Sequence, residues 1–174
     1  MPIYQYGHKI PEIGKDTYIS DTAVIIGGVK IGNNCYIGHG AILRGDYGNI
    51  HIGDGTAVEE NVMIHIRPND TLIIGQNVTI GHSATIHCKK IEDYAVIGLG
   101  AILSFDVVVG EWAIVAEGTI VPNSKIIPPN KVVAGNPFKV ISEVTAFHKK
   151  RWEYVKELYK TLAKEYPIKL KKIG

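Results

Sequence analysis

The sequence predicts a mainly β protein: a parallel β-helix of hexapeptide repeats with a C-terminal α-helix packed alongside. Two observations support this fold class. An aliphatic residue recurs every six residues through most of the chain, and the apolar spacing changes to three and four residues near the C terminus. A helix has a period of 3.6 residues and a simple strand a period of 2, so a period of six fits neither. It is typical of a solenoid whose short strands stack coil on coil, with the aliphatic residue pointing inward.

The repeat breaks phase at three places. There are three extra residues after Leu43, four extra residues after Ile64 and one residue fewer after Ile86. Insertions in a solenoid usually form loops at its corners and often mark the working face, so we expect the functional residues near these breaks. The repeated positions are Ile13, Ile19, Ile25, Ile31, Ile37, Leu43, Ile52, Val58, Ile64, Ile74, Ile80, Ile86, Ile91, Ile97, Leu103, Val109, Val115, Val121, Ile127 and Val133.

The C-terminal segment predicts one amphipathic helix from Ser142 to Tyr166. Ser142 is a candidate N-cap, and Pro167 stands where the helix should stop. Residues 1–141 are expected to form the β-helix, and residues 142–174 a helix and tail that belong to the same domain. The run at 134–137 marks the exit from the β-helix. The apolar positions of the predicted helix are Val144, Phe147, Trp152, Val155, Leu158, Tyr159, Leu162 and Tyr166.

The charge of the chain is unevenly distributed. Residues 142–174 contain nine Lys and Arg against four Asp and Glu, a net charge of +5 within a total of +2. We interpret this as a solvated basic helix face, since a nucleic-acid site would need a broader basic surface with interleaved aromatic residues. No segment resembles a signal peptide or a membrane span. We therefore expect no nucleic-acid or membrane partner. Cys35 and Cys88 are too few for a disulfide framework, so we expect a cytoplasmic protein with reduced thiols.

Counting coils groups the histidines. With three hexapeptides to a coil, Arg44, His65 and His87 each follow the aliphatic residue of one face in successive coils. They are therefore expected to stand in one column. Neighbouring strands lie about 4.8 Å apart. Two imidazoles at this spacing can both reach one metal ion, for which a Zn–N bond is about 2.0–2.1 Å long.

His82 falls in a different column. The same count places His39, Glu60 and His82 together, around a corner from the first column. One chain is therefore not expected to aim His65, His82 and His87 at a single ion. A trimer removes the difficulty, because it sets two histidines of one chain against His82 of the next. Closed cyclic symmetry is the usual form of a homo-oligomer.

Three segments carry a resemblance to a known family. They are Arg44-Gly45-Asp46, the strand at 61–65 with sequence NVMIH, and the stretch at 80–87 with sequence IGHSATIH. With the repeat and the terminal helix, they make the chain resemble the γ-class carbonic anhydrases of the hexapeptide-repeat superfamily. The resemblance covers nearly the whole chain, and it implies that the β-helix is left-handed.

The resemblance also implies a metal centre and an activity. It implies that His65, His82 and His87 bind a catalytic metal at the interface of a homotrimer, and that Arg44 and Asp46 hold the interface and the site. The metal would be zinc, or in some relatives iron or cobalt. The implied reaction is the reversible hydration of carbon dioxide to bicarbonate by a metal-bound hydroxide, which zinc makes available near neutral pH.

The chain departs from this family pattern around the centre. Well-studied members place a Gln-Asp pair where this chain has Glu59 and Glu60, and a Glu where it has Tyr47. Glu60 can still pair with Arg44 of a neighbouring chain. The carboxylate of Glu59 could raise the pKa of a bound water or bind a second cation. The acidic proton-shuttle loop of the family is absent from residues 66–71.

Tyr159 is a further candidate. It lies on the terminal helix, where related sequences often have a tyrosine that approaches the metal site. The alternative is a tyrosine that packs in the interface of the helix. The candidate catalytic residues are therefore Glu59, Glu60 and Tyr159.

Other residues near the predicted centre have simpler interpretations. His39 and His51 match no ligand position of the family and are expected at the surface. Cys88, next to His87, could ligate zinc. We expect instead that it fills a small buried position.

Two alternatives to an active carbonic anhydrase remain open. The first is a metal-binding homologue with little activity that serves as a scaffold or accessory protein, which the changes at Tyr47 and Glu59 and the missing acidic loop favour. The second is a hexapeptide acyltransferase. Such enzymes often use one histidine at an interface and a longer acceptor-binding loop or domain, which we do not find in these 174 residues.

Overall fold

The computed structural model describes residues 2–174. It contains twenty strands and one helix. The first ten strands are β1 (Ile3–Tyr4), β2 (Glu12–Ile13), β3 (Tyr18–Ile19), β4 (Val24–Ile31), β5 (Tyr36–Ile37), β6 (Ile42–Ile52), β7 (Ala57–Val58), β8 (Met63–His65), β9 (Thr71–Ile74) and β10 (Thr79–Ile80). The remaining elements are β11 (Thr85–Ile86), β12 (Lys90–Ile91), β13 (Val96–Ile97), β14 (Ile102–Leu103), β15 (Val108–Val109), β16 (Ile114–Val115), β17 (Ile120–Val121), β18 (Ile126–Ile127), β19 (Lys131–Ala134), β20 (Lys139–Glu143) and α1 (Ala146–Lys169).

The strands form a parallel β-solenoid of about seven turns, as the repeat predicts. The first face stacks β1, β4, β6, β8, β11, β14 and β17, and the second stacks β2, β4, β6, β9, β12, β15 and β18. β4 and β6 belong to both faces because each is long enough to run around the corner. The third face stacks β3, β5, β7, β10, β13, β16 and β19.

The aliphatic repeat forms the core. Leu43 pairs with Ile64, and Ile64 pairs with Ile86, which is the predicted register of the first face. All three side chains are fully buried. Ile13, in the first coil, is 37% exposed because no complete coil lies beneath it. The remaining repeated positions are buried and belong to one continuous cluster, so removal of apolar surface from water stabilises the whole stack.

The three phase breaks take different forms. The first is a bulge rather than a separate loop: β6 is continuous, but its register against β4 shifts between Gly27 and Val29. The second is the turn at residues 67–70, between β8 and β9. The third is a tight corner at Cys88, whose side chain is fully buried in the core. This burial confirms that Cys88 fills a small interior position.

The helix α1 packs along the third face. In its C-terminal half, Tyr159 and Tyr166 pack against Tyr36 of β5. Near its start, Trp152 packs against Val96 of β13 and its neighbours in β16 and β19. The prediction of a terminal helix alongside the solenoid is therefore confirmed.

The predicted limits of the helix are wrong. Ser142 is not its N-cap but lies in β20, where it pairs with Val132 across an antiparallel ladder. That pairing covers the open edge of β19, and the cap is Thr145, whose side chain accepts a hydrogen bond from the backbone of His148. Pro167 lies inside the last turn rather than beyond it. The packing of the preceding residue, Tyr166, against Tyr18 and Tyr36 outweighs the local preference of a residue before proline for extended backbone.

Two predicted apolar positions of the helix do not face the solenoid. Phe147 is 72% exposed and Leu158 is 45% exposed. Lys156 is instead nearly fully buried on that side. Within residues 2–174, no helix is long and apolar enough to cross a membrane.

Candidate metal centre

His65 and His87 stand in one column at the corner between the first and second faces. Arg44 is the register partner of His65, and the rings of His65 and His87 have centroids 5.3 Å apart with planes at 87°. Burial lowers the pKa of both imidazoles, and the positive charge of Arg44 acts in the same direction. Both rings are therefore neutral near pH 7, which is the form that binds a metal ion. The predicted first column is confirmed.

Asp46 lies against this column. One carboxylate oxygen is 3.8 Å from Nε2 of His65, and the other is 3.1 Å from Nη1 of Arg44. The bulge in β6 brings Asp46 here, and it depends on close stacking at Gly45. A Cβ added at Gly45 would lie 2.8 Å from the carbonyl oxygen of Gly28. Arg44 and Asp46 thus form an ion pair within one chain, directly beside a predicted metal ligand.

The His87 ring is covered by an aromatic side chain that the sequence analysis did not single out. The centroids of His87 and Phe105 are 5.0 Å apart, and the guanidinium of Arg67 lies 5.1 Å from the Phe105 ring. Arg67 is held in turn by Asp106 at 2.5 Å and Asp70 at 3.2 Å. The sequence did contain a signal for this contact. Phe105 lies just after β14, which is the first-face strand of the coil that follows the coil of His87.

Nδ1 of His87 is unsatisfied. It is buried and has no hydrogen-bond partner among residues 2–174. A buried polar atom without a partner costs about 1–3 kcal/mol, so such an atom needs an explanation. Within the described residues, no protein hydrogen bond therefore competes for this nitrogen of His87.

His82 lies at a different corner, between the third and first faces. Its side chain is 47% exposed, and both of its ring nitrogens face carboxylates of the same chain. Nε2 is 3.1 Å from Glu59, and Nδ1 is 2.8 Å from Glu60. The backbone N–H of His82 also donates to Glu59. The two glutamates therefore fix the orientation of this imidazole.

Two tyrosines, one from β5 and one from α1, lie beside the glutamates. The hydroxyl of Tyr36 donates to Glu60 at 2.7 Å. Burial raises the pKa of Glu59, and the nearby Tyr159 hydroxyl opposes that shift. Burial also raises the pKa of Tyr159, which keeps its hydroxyl protonated as a donor. Tyr159 packs against Tyr36 in the helix interface, near Glu59, and its approach to a metal stays a prediction.

The three histidines do not converge within one chain. His65 and His87 occupy one corner of the solenoid and His82 the next. Across residues 2–174, no group of three or more His, Cys, Asp or Glu side chains is arranged to hold a metal ion. This agrees with the separation that the coil count predicts.

The other residues named from the sequence lie outside these two corners or at their rims. Tyr47 is 57% exposed and packs edge-on against Tyr6. His39 binds Ser20 through Nδ1 at 2.6 Å, and His51 is exposed on the second face. Asp70, in the segment where the family has an acidic loop, is paired with Arg67.

Comparison with known proteins gives both a repeat family and named relatives. Residues 11–45 match the family model for the bacterial transferase hexapeptide (six repeats). A carbonic anhydrase of Geobacillus kaustophilus is 39% identical over 157 residues, which cover 90% of this chain and 86% of that protein. The mitochondrial gamma carbonic anhydrase 2 of Arabidopsis thaliana is 40% identical over 79% of this chain. The chain spans only about half of the length of that plant relative, 51%.

Other similar proteins carry different names. The carnitine operon protein CaiE of Salmonella agona is 30% identical over 83% of this chain and 73% of its own length. Among solved structures, a putative acetyltransferase of Bacillus cereus superimposes with a TM-score of 0.91 at 35% identity, covering 94% of this chain and 95% of the other. The shared architecture therefore extends over nearly the whole molecule.

Proposed function

Because the chain belongs to the γ-class carbonic anhydrase family, we propose that it binds a catalytic metal between neighbouring chains of a homotrimer and catalyses the reversible hydration of carbon dioxide to bicarbonate. The observation that carries this proposal is the division of three imidazoles between two adjacent corners of the solenoid. Two stand together, and the third faces outward from the next corner. Threefold association would bring the outward histidine of one chain to the pair of another.

The residues present fit a metal ion. Burial keeps His65 and His87 neutral, and Nδ1 of His87 has no partner among the described residues. Three imidazole nitrogens with an open fourth position are a donor set typical of catalytic zinc. Iron and cobalt accept the same donors, so reconstitution with each metal in turn identifies the one that this protein uses.

The side chains around the histidines would orient them. A bound zinc ion supplies the Lewis acidity that makes hydroxide available as a nucleophile near neutral pH. Glu60 holds Nδ1 of His82, with Tyr36 fixing the carboxylate, so Nε2 would face the metal once its contact with Glu59 is given up. A carboxylate bound to the second nitrogen of a ligating histidine fixes the tautomer and the ring orientation.

The remaining candidates would position these groups or shape the site. Tyr159 would act through the nearby Glu59 as a positioning residue, since it packs in the helix interface beside that carboxylate. Asp46 aligns His65 and is itself held by Arg44. The ring of Phe105 gives the His87 side of the site an apolar wall, which suits an uncharged substrate such as carbon dioxide.

A metal-defined assay tests the proposal. The apoprotein is loaded separately with zinc, iron and cobalt, and carbon dioxide hydration is measured together with the oligomeric state. We expect a rate above buffer that His82→Ala abolishes without dissociating the trimer, while the matched control His51→Ala keeps both. A metal-loaded trimer with no rate above buffer for any metal would contradict the catalytic assignment.

The same experiment also tests two alternative functions, a metal-bearing scaffold and an acyltransferase. Glu59 and Glu60 occupy both nitrogens of His82, and Tyr47 is exposed where the family has a glutamate, which favours a metal-bearing scaffold with little activity. Such a protein would form the metal-loaded trimer without turnover. The similarity to a putative acetyltransferase of Bacillus cereus motivates a third arm. Turnover of acetyl-coenzyme A that is lost in His82→Ala would support an acyltransferase instead.

A further inference from the structure

A second candidate site lies at the corner between the second and third faces, away from both histidine corners. It is a cavity of about 320 Å³ between the solenoid and α1. Asn77 and Tyr94 line it from the turns of two successive coils. The remaining lining residues come from the helix and are Glu153, Lys156, Glu157 and Lys160. Because the histidines that would join chains lie at the other two corners, this cavity stays open in the proposed trimer.

One wall of the cavity is held rigidly. The ring of Tyr94 stacks on Trp112 at 4.8 Å with planes 9° apart, and Nζ of Lys149 lies 5.0 Å from the Trp112 ring. Tyr94 and Trp112 both have positive φ, 59° and 57°. Bulky residues rarely adopt this conformation, so the surrounding packing must hold these two turns in place.

The amine of Lys156 lies inside this corner and not in solvent. The residue is 3% exposed, and its Nζ contacts only neutral groups, the Thr79 hydroxyl at 3.0 Å and the Ala95 carbonyl at 3.5 Å. Among residues 2–174 it has no carboxylate within ion-pair distance. A buried ammonium without a counter-charge is costly, so the neutral amine is favoured.

The charges around Lys156 also favour the neutral form of its amine. Burial lowers the pKa of Lys156 to about 7, and repulsion from Lys160 adds to the shift, while Glu59 opposes it. Glu153 and Glu157 lie at the exposed rim of the cavity, and Glu157 is already paired with Lys160 at 2.7 Å. A neutral lysine that lines a cavity has an unshared electron pair available to a small electrophile.

We propose that Lys156 is a carbamylation site, at which the neutral amine adds carbon dioxide reversibly. The nitrogen lone pair forms the N–C bond, one C=O π pair moves to oxygen, and the N–H proton passes to water or buffer. The product is a carbamate anion and one proton, so no further reactant is needed. The half-buried Lys160, which repels a second ammonium, would attract this anion. The carboxylates at the rim are the more solvated of the charged groups.

This proposal goes beyond the metal centre and does not depend on it. The cavity, the buried amine and the neighbouring ammonium belong to one chain and need no metal. A solvated lysine is protonated near pH 7 and reacts poorly, so the environment of Lys156 predicts selectivity over the other lysines. Lys164, exposed on the same helix, is the matched comparison.

Chemical trapping tests the proposal. The protein is equilibrated with ¹³C-labelled bicarbonate and carbon dioxide at pH 8 and treated with triethyloxonium, which converts a carbamate to a stable ethyl carbamate, and the site is read by peptide mass spectrometry. We expect ¹³C label at Lys156 and none at Lys164, with the label at Lys156 falling several-fold at pH 6. A free peptide in the same tube is the positive control, because its α-amine has an ordinary pKa of about 8.

Variants separate this inference from the proposed function. His87→Ala should keep the label at Lys156 even though it removes a metal ligand, and Lys156→Gln should lose it while keeping the solenoid circular dichroism spectrum. Label on the control peptide with none at Lys156 would overturn the inference, whatever the hydration assay shows. Label at Lys156 in a protein with no hydration activity would leave the inference standing and remove the proposed function.

Discussion

The carboxylate of Glu59 lies 3.1 Å from Nε2 of His82, the nitrogen that faces away from Glu60. Both residues belong to the same chain, so in the isolated chain the third histidine is paired with acids on both sides. A metal ion would have to replace one of these contacts and would benefit from the other. The affinity of the centre therefore depends on which carboxylate stays.

We predict that Glu60 stays. It makes the shorter contact with His82 and is anchored by the Tyr36 hydroxyl. Glu60→Ala should lower metal affinity by about 10–100-fold, the usual cost of losing the partner of a ligating histidine. Glu59→Ala should not lower affinity, because it removes the carboxylate that competes with the metal for Nε2 of His82. Competition with a chelating dye measures both, and the reverse order of the two variants would show that Nδ1 faces the metal.

Mixed trimers test whether the site crosses chains. His82→Ala and His87→Ala should each abolish metal binding as homotrimers. Co-expressed, the first supplies His65 and His87 and the second supplies His82, so each mixed trimer regains one intact site. We expect recovery of bound metal and rate in purified mixed trimers. Failure to recover either would place all three ligands within one chain, against the separation seen here.

Phe105 should support His87. The two rings lie 5.0 Å apart, and Arg67 holds the Phe105 ring from the other side. Phe105→Ala removes this wall, so we expect metal affinity to fall several-fold while the trimer persists, and Phe105→Tyr to retain most of it. Phe147→Ala, which truncates the same residue type at a position 72% exposed, is the control. Equal affinity in both alanine variants would leave Phe105 without a role at the centre.

Lys156 should make stability depend on pH. Its pKa is lowered to about 7 in the folded chain by burial, whereas a free lysine has a pKa of about 10.4. Between these values the unfolded chain binds a proton that the folded chain does not, so wild-type stability falls as pH drops from 10 to 7. Lys156→Met should raise the free energy of unfolding at pH 7 by about 1–4 kcal/mol, at about 1.4 kcal/mol per pKa unit less the lost hydrogen bonds.

The same comparison at pH 10 provides the check. The advantage of Lys156→Met should shrink there, because the unfolded lysine also begins to lose its proton. Lys164→Met, at an exposed position on the same helix, should change stability little at either pH. Denaturant unfolding at the two pH values measures all three proteins, and a constant difference between wild type and Lys156→Met would show that the buried amine does not titrate anomalously.

The core of the first face should dominate stability. Ile86 is fully buried between the coils of Ile64 and Leu103, whereas Ile126 is 69% exposed. Ile86→Ala should therefore cost about 2–5 kcal/mol of unfolding free energy, the range for a large-to-small change in a packed core. Ile126→Ala should cost less than about 0.5 kcal/mol, as expected for a surface position.

Sequence periodicity was sufficient to predict most of the fold. The six-residue repeat gives the number of residues on each face of a coil and the register between coils, because a slip of one position would turn the aliphatic row out of the core. For the same reason it predicts that His65 and His87 share a column while His82 does not. It could not place Thr145 as the helix cap, since β20 forms only by pairing with β19, a contact between segments that the repeat does not encode.

Contacts between coils that are distant in the sequence were decided only by the tertiary structure. The sequence by itself determined the parallel β-helix, its aliphatic core and the two histidine columns, because each follows from a fixed number of residues per coil. The tertiary structure decided that Glu59 and Glu60 both pair with His82 and that Phe105 covers His87. It also decided that the amine of Lys156 lies beside Thr79 in a buried corner, because the hexapeptide repeat does not specify how the helix docks on the solenoid. Such neighbours depend on side-chain direction and helix docking, which hexapeptide spacing does not specify.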